Sequence, residues 1–281
     1  MEPRLSCIPC IIKQIIYSAR AVSGDNWLQK KIVTNVLQHL AEMEYSLLPV
    51  KLVERIFMEA VERLGVSDPF HEQKHRVVSS FDDILSDIRK RAPDVDKDRF
   101  TAALKMSAAA NHFPSFVDFE ETFDRILDTA RSPYIYFEEE KFKKEYRKTN
   151  KALLISSGFV EFAFDVYFLS LLGMKEINFI ASKRSFLWQT TVDMIDALKD
   201  SIPFNFQVRD IVYSNPQNDH FNLLSSDEFV VCKGFINYQF FEDCQDSLLH
   251  LLYANRWCQP SMYALGLKNN PQSGIVMKFN D

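Results

Sequence analysis

The sequence predicts an α/β protein in two parts, an N-terminal α-helical bundle domain and a C-terminal three-layer α/β/α domain on a mainly parallel sheet. Three observations predict it. From Cys7 to about Leu127 the apolar residues recur at helical spacing; after Lys151 they gather into short, partly β-branched runs; and helical stretches separate the first few of those runs. Strands that alternate with helices imply a Rossmann-like sheet covered on both faces. The boundaries read as 1–148 for the helical part and 149–281 for the α/β part.

In order along the chain, IIKQIIYSARAV, KKIVTNVLQHLAEM, VKLVERIFMEAVERLG, FDDILSDIRKRA and FTAALKMSAAANHF carry the helical period. The breaks between them, SGDN, LGVSDPF and RAPDVDKD, are rich in turn and capping residues. From Asp128 to Asn150 the chain is charged and lysine-rich, and it reads as a solvated linker helix. The strands expected next are KALLISS, EINFIAS, FQVRDIVYS, EFVVCKG, LLHLLYAN and GIVMKF, with EFAFDVYFLSLLG and QTTVDMIDALKD as helices between the first of them. Ligands of such sheets bind beyond the carboxyl ends of the strands. That rule assigns Ser156 to Glu161, Ser182 to Thr191 and Lys233 to Asn237 to one functional rim.

Composition removes several classes of function. A net charge of -5 over 281 residues provides no basic field for duplex DNA or anionic lipid, so no nucleic acid and no membrane is expected. The amino terminus has its apolar run broken by Lys13 and shows no small-residue cleavage signal, and FVEFAFDVYFLSLLGM carries Glu161 and Asp165, so the chain reads as cytoplasmic. Five cysteines, Cys7, Cys10, Cys232, Cys244 and Cys258, are an odd number and read as reduced thiols. Only 7 glycines leave little for phosphate-cradling loops, while 24 phenylalanines imply an aromatic interior or pocket.

HEQKH, residues 71–75, satisfies HExxH, with His71 and His75 one helical turn apart and Glu72 as the general base of a zincin. No third ligand follows, and Phe70, Val77, Phe81 and Leu85 supply an apolar face beside which the histidines are ordinary polar residues. Cys7 and Cys10 form a single CxxC, which is half of a zinc site, and it reads as packing or a pair of buried thiols. No GxGxxG, GxGxG or Walker sequence is present. ISSGFVEFAFD, residues 155–165, has a single glycine and no nucleophile elbow, and its acids are Glu161 and Asp165. DEFVVCKGFINYQ, residues 227–239, brings Lys233 and Gly234 to the rim with Asn237 at the start of the next helix. A cation beside bare backbone amides suits an anion.

Together these segments resemble the damage-control phosphatase family, also called acidic-residue (protein-glutamate) O-methyltransferase-like proteins, in its archaeal and bacterial branch. SCIPCIIKQ is similar to the family's CxPC helix, SDPFHEQKH to its DPY-x-x-x-K segment, SAAANHF with Asn111 to AxxGN, and RWCQPSMYALGL to a late K-C-x-x-x-A-x-x-L-G stretch. DEFVVCKGFINYQ follows D-x-V-I-x-K-G-x-x-N-Y-E, with Lys233, Gly234 and Asn237 matching. The resemblance implies a helical domain joined to an α/β/α domain. It also implies a divalent metal held by the Asp and Asn of DNAGE-x-x-x-D and by the Asp of P-x-x-N-D-x-T. Here Ser157 falls at that Asp, Gly158 at the Asn, Phe159 at the Ala and Val160 at the Gly; Glu161 and Asp165 are kept. In KRSFLWQTTVDM the second Asp falls at Gln189, or at Thr190 with a one-residue slip, and Pro114 replaces a further Asp.

Hard divalent cations need carboxylate oxygens, so no metal is expected. Phe159, Phe186 and Trp188 stand in the altered segments, and aromatic faces attract soft cations such as a sulfonium. The leading expectation is therefore a metal-independent enzyme that uses S-adenosylmethionine for alkyl or methyl transfer or for cyclisation. Glu161 and Asp165 would be the catalytic carboxylates; Lys233 and Asn237 would meet a ligand carboxylate; Asn111, Ser157, Gly158, Phe159, Phe186, Trp188, Gln189 and Gly234 would line the pocket. The alternatives are a catalytically dead binding or scaffold relative with a partner protein, and a metal-dependent phosphatase of sugar or metabolite phosphates working through a displaced site.

Overall fold

A computed structural model describes residues 8–42, 58, 65, 68, 70–111, 119–183, 188–211, 223–225, 227–241, 244, 248–254, 262, 265–267, 270 and 272–280. Helices α1 (Ile8–Val22) and α2 (Asn26–Ala41) turn at SGDN, where the Asp25 carboxylate accepts the Trp27 N–H at 2.9 Å and caps α2. They face each other through Ile11, Ile15 and Ala19 on one side and Ile32, Val36 and Leu40 on the other, the periodic residues of the sequence. VKLVERIFMEAVERLG lies almost entirely outside the described residues.

The helices α3 (His71–Ser79) and α4 (Phe81–Arg91) meet at Ser80. Phe70, Val77, Phe81 and Leu85 are buried as expected, while His71, Glu72 and His75 all face solvent. The HExxH is therefore an exposed helix face. Next comes α5 (Arg99–Ala110), capped by Asp98, whose carboxylate accepts the Thr101 N–H at 2.8 Å and is held below its usual range by that bond. Its run of buried alanines, with no bulk to hold neighbours apart, lets α5 lie close to the centre of the molecule. Helix α6 (Phe119–Ala130) packs beside it.

The segment read as a linker helix is corrected by a strand. Tyr134–Phe137 forms β1, followed by the short helix α7 (Glu139–Tyr146). β1 runs parallel to the last strand, and its Pro133 carbonyl and Ile135 side chain crowd Gly274 so closely that a Cβ there would stand 2.6 Å from each. The surrounding charges concealed four residues of β-forming side chains.

The remaining strands fall where the short apolar runs predict: β2 (Lys151–Ile155), β3 (Glu176–Ser182), β4 (Val208–Ile211), β5 (Phe229–Lys233), β6 (Leu248–Ala254) and β7 (Gly274–Phe279). The seven-stranded sheet has the order β1-β7-β6-β5-β2-β3-β4, parallel throughout except between β6 and β7. The chain leaves β2 toward β3 on one side and returns to β5 on the other. The carboxyl ends of β2 and β5 therefore bound the topological switch point, where the connections diverge and leave a crevice.

Helix α8 (Phe162–Ser170) enters from that crevice, and all of its residues from Phe162 to Leu169 are buried. A helix apolar on every side belongs inside a protein. Phe162 packs between Phe81 and Phe179, and Phe164 against Phe123, so many of the phenylalanines are core, at roughly 1.5–3 kcal/mol of burial each. Two more helices, α9 (Val192–Ala197) and α10 (Gly234–Phe241), complete the rim. Cys232 and Cys244 are buried free thiols; Cys7 and Cys258 lie outside the described residues. No helix among the described residues is long and apolar enough to cross a membrane.

Candidate functional site

Lys233 is the last residue of β5, and its side chain turns into the interior with no exposed surface. A buried ammonium is stable only if it is paired and hydrogen-bonded. Its Nζ lies 2.9 Å from Asp165 Oδ1 and 3.4 Å from Glu161 Oε2, and it donates to Ser107 Oγ at 2.9 Å and to the Ser107 carbonyl. Ser107 in turn donates its hydroxyl to Asp165 Oδ1 at 2.6 Å. The three N–H bonds of the ammonium are thus fully used by the protein.

A second layer surrounds the glycines. Asn111, which ends α5, donates from Nδ2 to Ser157 Oγ at 3.0 Å and to Glu161 Oε1 at 3.2 Å, and the Gly158 N–H donates to the same Glu161 oxygen at 2.5 Å. Gly234 has φ of +78°, and a Cβ there would strike Asn111 Nδ2 and come within 2.7 Å of Ser157 Oγ. Only glycine combines that backbone with that approach. Asn237 is fully buried, and its Nδ2 donates to the carbonyls of Ser156 (2.8 Å), Lys233 (2.9 Å) and Ile155 (3.3 Å), tying β2 to β5.

Two carboxylates share one ammonium here, so the cluster carries a net negative charge once both are ionised. Burial raises the Asp165 pKa to about 6, against the opposing pull of Lys233 and with the help of the Glu161 charge. Glu161 Oε2 and Asp165 Oδ2 are buried without any hydrogen bond.

The other wall is a strap across the ends of β2 and β3. Gly158 and Gln189 form an antiparallel bridge; the Phe159 N–H donates to the Trp188 carbonyl at 2.8 Å, the Thr190 N–H to Ser157 at 2.7 Å, and the Ser182 N–H to Thr190 at 3.1 Å. This pairing brings together the two segments in which the resemblance implies a metal site. Gln189 has no exposed surface, and neither its Nε2 nor its Oε1 has a hydrogen-bond partner among the described residues. Trp188 is half-buried, and its Cδ1 would lie 2.9 Å from a Cβ on Gly158, with Glu161 Oε1 at 2.8 Å.

The rim therefore unites Asn111, Ser157, Gly158, Glu161, Asp165, Trp188, Gln189, Lys233, Gly234 and Asn237. Three expectations change. Phe159 is fully buried with its ring centroid 6.2 Å from that of Phe70, so it packs in the core. Lys233 and Asn237 do not present a site for a ligand carboxylate, because the first is saturated by protein acceptors and the second by backbone carbonyls. Phe186 lies outside the described residues, as does Pro114.

Two residues were missed. Ser107 bridges Lys233 and Asp165 from within an alanine run that carries no motif. Lys74, in the first turns of α3, is buried and pairs with Asp68 Oδ2 at 3.1 Å; burial lowers its pKa, against Asp68 and Asp193. Its signal was the lysine of the DPY-x-x-x-K pattern.

The residues at the metal positions do not suit a hard divalent cation. Ser157, Gly158 and Gln189 are uncharged, the two carboxylates nearby are held against Lys233, and no group of three or more His, Cys, Asp or Glu among the described residues is arranged to hold a metal. Magnesium and its relatives bind through carboxylate oxygens, which are missing from those positions.

Residues 4–274 match the damage-control phosphatase ARMT1-like domain. Over 275 residues, 93% of this chain and 94% of the relative, the sequence is 24% identical to a damage-control phosphatase of Archaeoglobus fulgidus. The fold matches the crystal structure of a DUF89 family protein from Pyrococcus horikoshii with a TM-score of 0.79, at 18% identity and over 100% of both chains.

Proposed function

The chain belongs to the damage-control phosphatase ARMT1-like domain family, and we propose that its site binds a small neutral or cationic metabolite without hydrolysing phosphate esters through a divalent metal. Family membership taken alone supports a metal-dependent phosphatase; the side chains of this member support a departure from it.

One observation carries the reading. The acceptors in the site outnumber the donors: Glu161 Oε2 and Asp165 Oδ2 are buried carboxylate oxygens without hydrogen bonds, while the ammonium of Lys233 is used up. A phosphate brings only more negative acceptors, and with no metal to bridge the charges it would be repelled. A ligand that brings hydroxyls, an ammonium or a sulfonium supplies what the site lacks.

Among such cations S-adenosylmethionine remains the ligand to test first, with the half-buried Trp188 beside Gly158 as the aromatic contact. Alkyl transfer from a sulfonium draws its rate mainly from alignment, which fits a rim with few acid or base groups. Glu161 would face the cation, and Asp165 would hold Lys233 and Ser107 in place behind it.

The test is a pair of assays on the purified chain. Thermal melting in EDTA should rise with S-adenosylmethionine and lose that rise in Trp188→Ala. Phosphate release from sugar phosphates should stay at background with magnesium, manganese, cobalt or nickel. Metal-dependent release that disappears in Glu161→Gln would overturn the reading and return the chain to phosphatase chemistry.

A further inference from the structure

We propose that Gln189 is the specificity-determining contact of this site, reading a planar ligand group that offers a hydrogen-bond donor and an acceptor side by side, as a primary carboxamide or the edge of an aminopurine does. The proposal rests on the metal-free reading above.

Buried polar atoms in folded proteins are nearly always paired, so an unpaired buried carboxamide marks a place where the partner comes from outside the chain. Gln189 has no exposed surface, and both of its side-chain polar atoms lack a partner among the described residues. Across its bridge to Gly158 stands Glu161, whose Oε2 is likewise buried without a hydrogen bond. A carboxamide without a partner thus stands on one side of this glycine, and on the other a carboxylate oxygen that has an ion pair to Lys233 at 3.4 Å but no hydrogen bond. The backbone of the strap is pinned to Ser157 by the Thr190 N–H at 2.7 Å and to Ser182 by the Thr190 carbonyl at 3.1 Å, so Gln189 is held at the carboxyl ends of β2 and β3.

The chemistry of the carboxamide selects the ligand. It presents a donor and an acceptor in one plane. A phosphate, all acceptors, would satisfy the Nε2 and leave the Oε1 unmet; an ammonium would do the reverse. A carboxamide or an aminopurine edge satisfies both at once, which is how glutamine reads adenine in nucleic acid. Thr190 Oγ1, also buried and unpaired, supplies a further acceptor or donor on the same strap.

Isothermal titration in EDTA tests this, with adenosine and L-glutamine as probes and, as analogues, purine riboside, which lacks the exocyclic amine, and L-glutamate, which lacks the side-chain amide donor. Adenosine or L-glutamine should bind and its analogue should not; binding of adenosine alone identifies a base edge, and binding of L-glutamine alone a carboxamide. Gln189→Leu and Gln189→Glu should each weaken the bound probe roughly 10- to 100-fold, while unliganded Gln189→Leu melts at or above the wild-type temperature. The proposal is overturned if no probe binds, if Gln189→Leu binds as well as wild type, or if unliganded Gln189→Leu melts lower, which would show the carboxamide already paired within the protein or by bound water. Metal-dependent phosphate release would overturn only the metal-free reading, because this titration contains no metal.

Discussion

The Lys233 cluster and the Gln189 strap meet at Gly158 and follow opposite rules. In the cluster, a lysine, an aspartate, a glutamate, a serine and an asparagine from three segments bond one another at 2.6–3.4 Å, with one oxygen of each carboxylate left without a hydrogen bond. On the strap, a fully buried glutamine satisfies nothing. Glu161, Asp165, Lys233, Gly234 and Asn237 match the family resemblance, and Ser157, Gly158 and Gln189 do not; Ser157 and Gly158 still bond to Asn111 and Glu161, whereas the Gln189 carboxamide has no partner among the described residues. The proposed change of specificity lies on the strap.

The sharpest way to break the comparison is Lys233→Met. Two buried carboxylates would lose their counter-ion, and the loss should be about 3–5 kcal/mol by urea unfolding; a loss below about 1 kcal/mol would mean that the cluster is not an interdependent unit. Titration comes next. The Asp165 pKa rises from 3.8 to about 6 on folding, so the stability it contributes is complete below pH ~4 and is lost as pH rises through about 6. Wild type minus Asp165→Asn, compared at those two pH values, measures it.

His250 provides the opposite sign away from the strap. Burial lowers its pKa from 6.5 to about 4, so its contribution is full above pH ~6.5 and is lost as pH falls through about 4; His250→Gln should flatten that acid limb. Smaller again is Gly234→Ala, which combines a positive φ with a collision against Asn111 and Ser157 and should cost about 2 kcal/mol. Gln189→Leu should cost least, within about 1 kcal/mol of neutral or stabilising, because it removes atoms with no partner in the chain.

Much of this was legible in the sequence. Alternating short apolar runs and helices gave the parallel sheet and, with it, the rim; the K-G-x-x-N spacing gave Lys233, Gly234 and Asn237. Other features depend on tertiary contact. Ser107 meets Lys233 across 126 residues of chain, and nothing local distinguishes it from the alanines beside it. β1 was hidden among charges because an edge strand of four residues has too few positions to show its period. Phe159 and Trp188 read alike as aromatics, and only the packing of the strap puts one against Phe70 in the core and leaves the other half-exposed.

The most direct test of the proposed metal-free site is manganese paramagnetic resonance, in which the signal of the free ion disappears when the ion binds protein. Stoichiometric wild-type chain should leave that signal unchanged. Its loss at one ion per chain, restored by Glu161→Gln, would contradict the account and place a divalent metal at this rim.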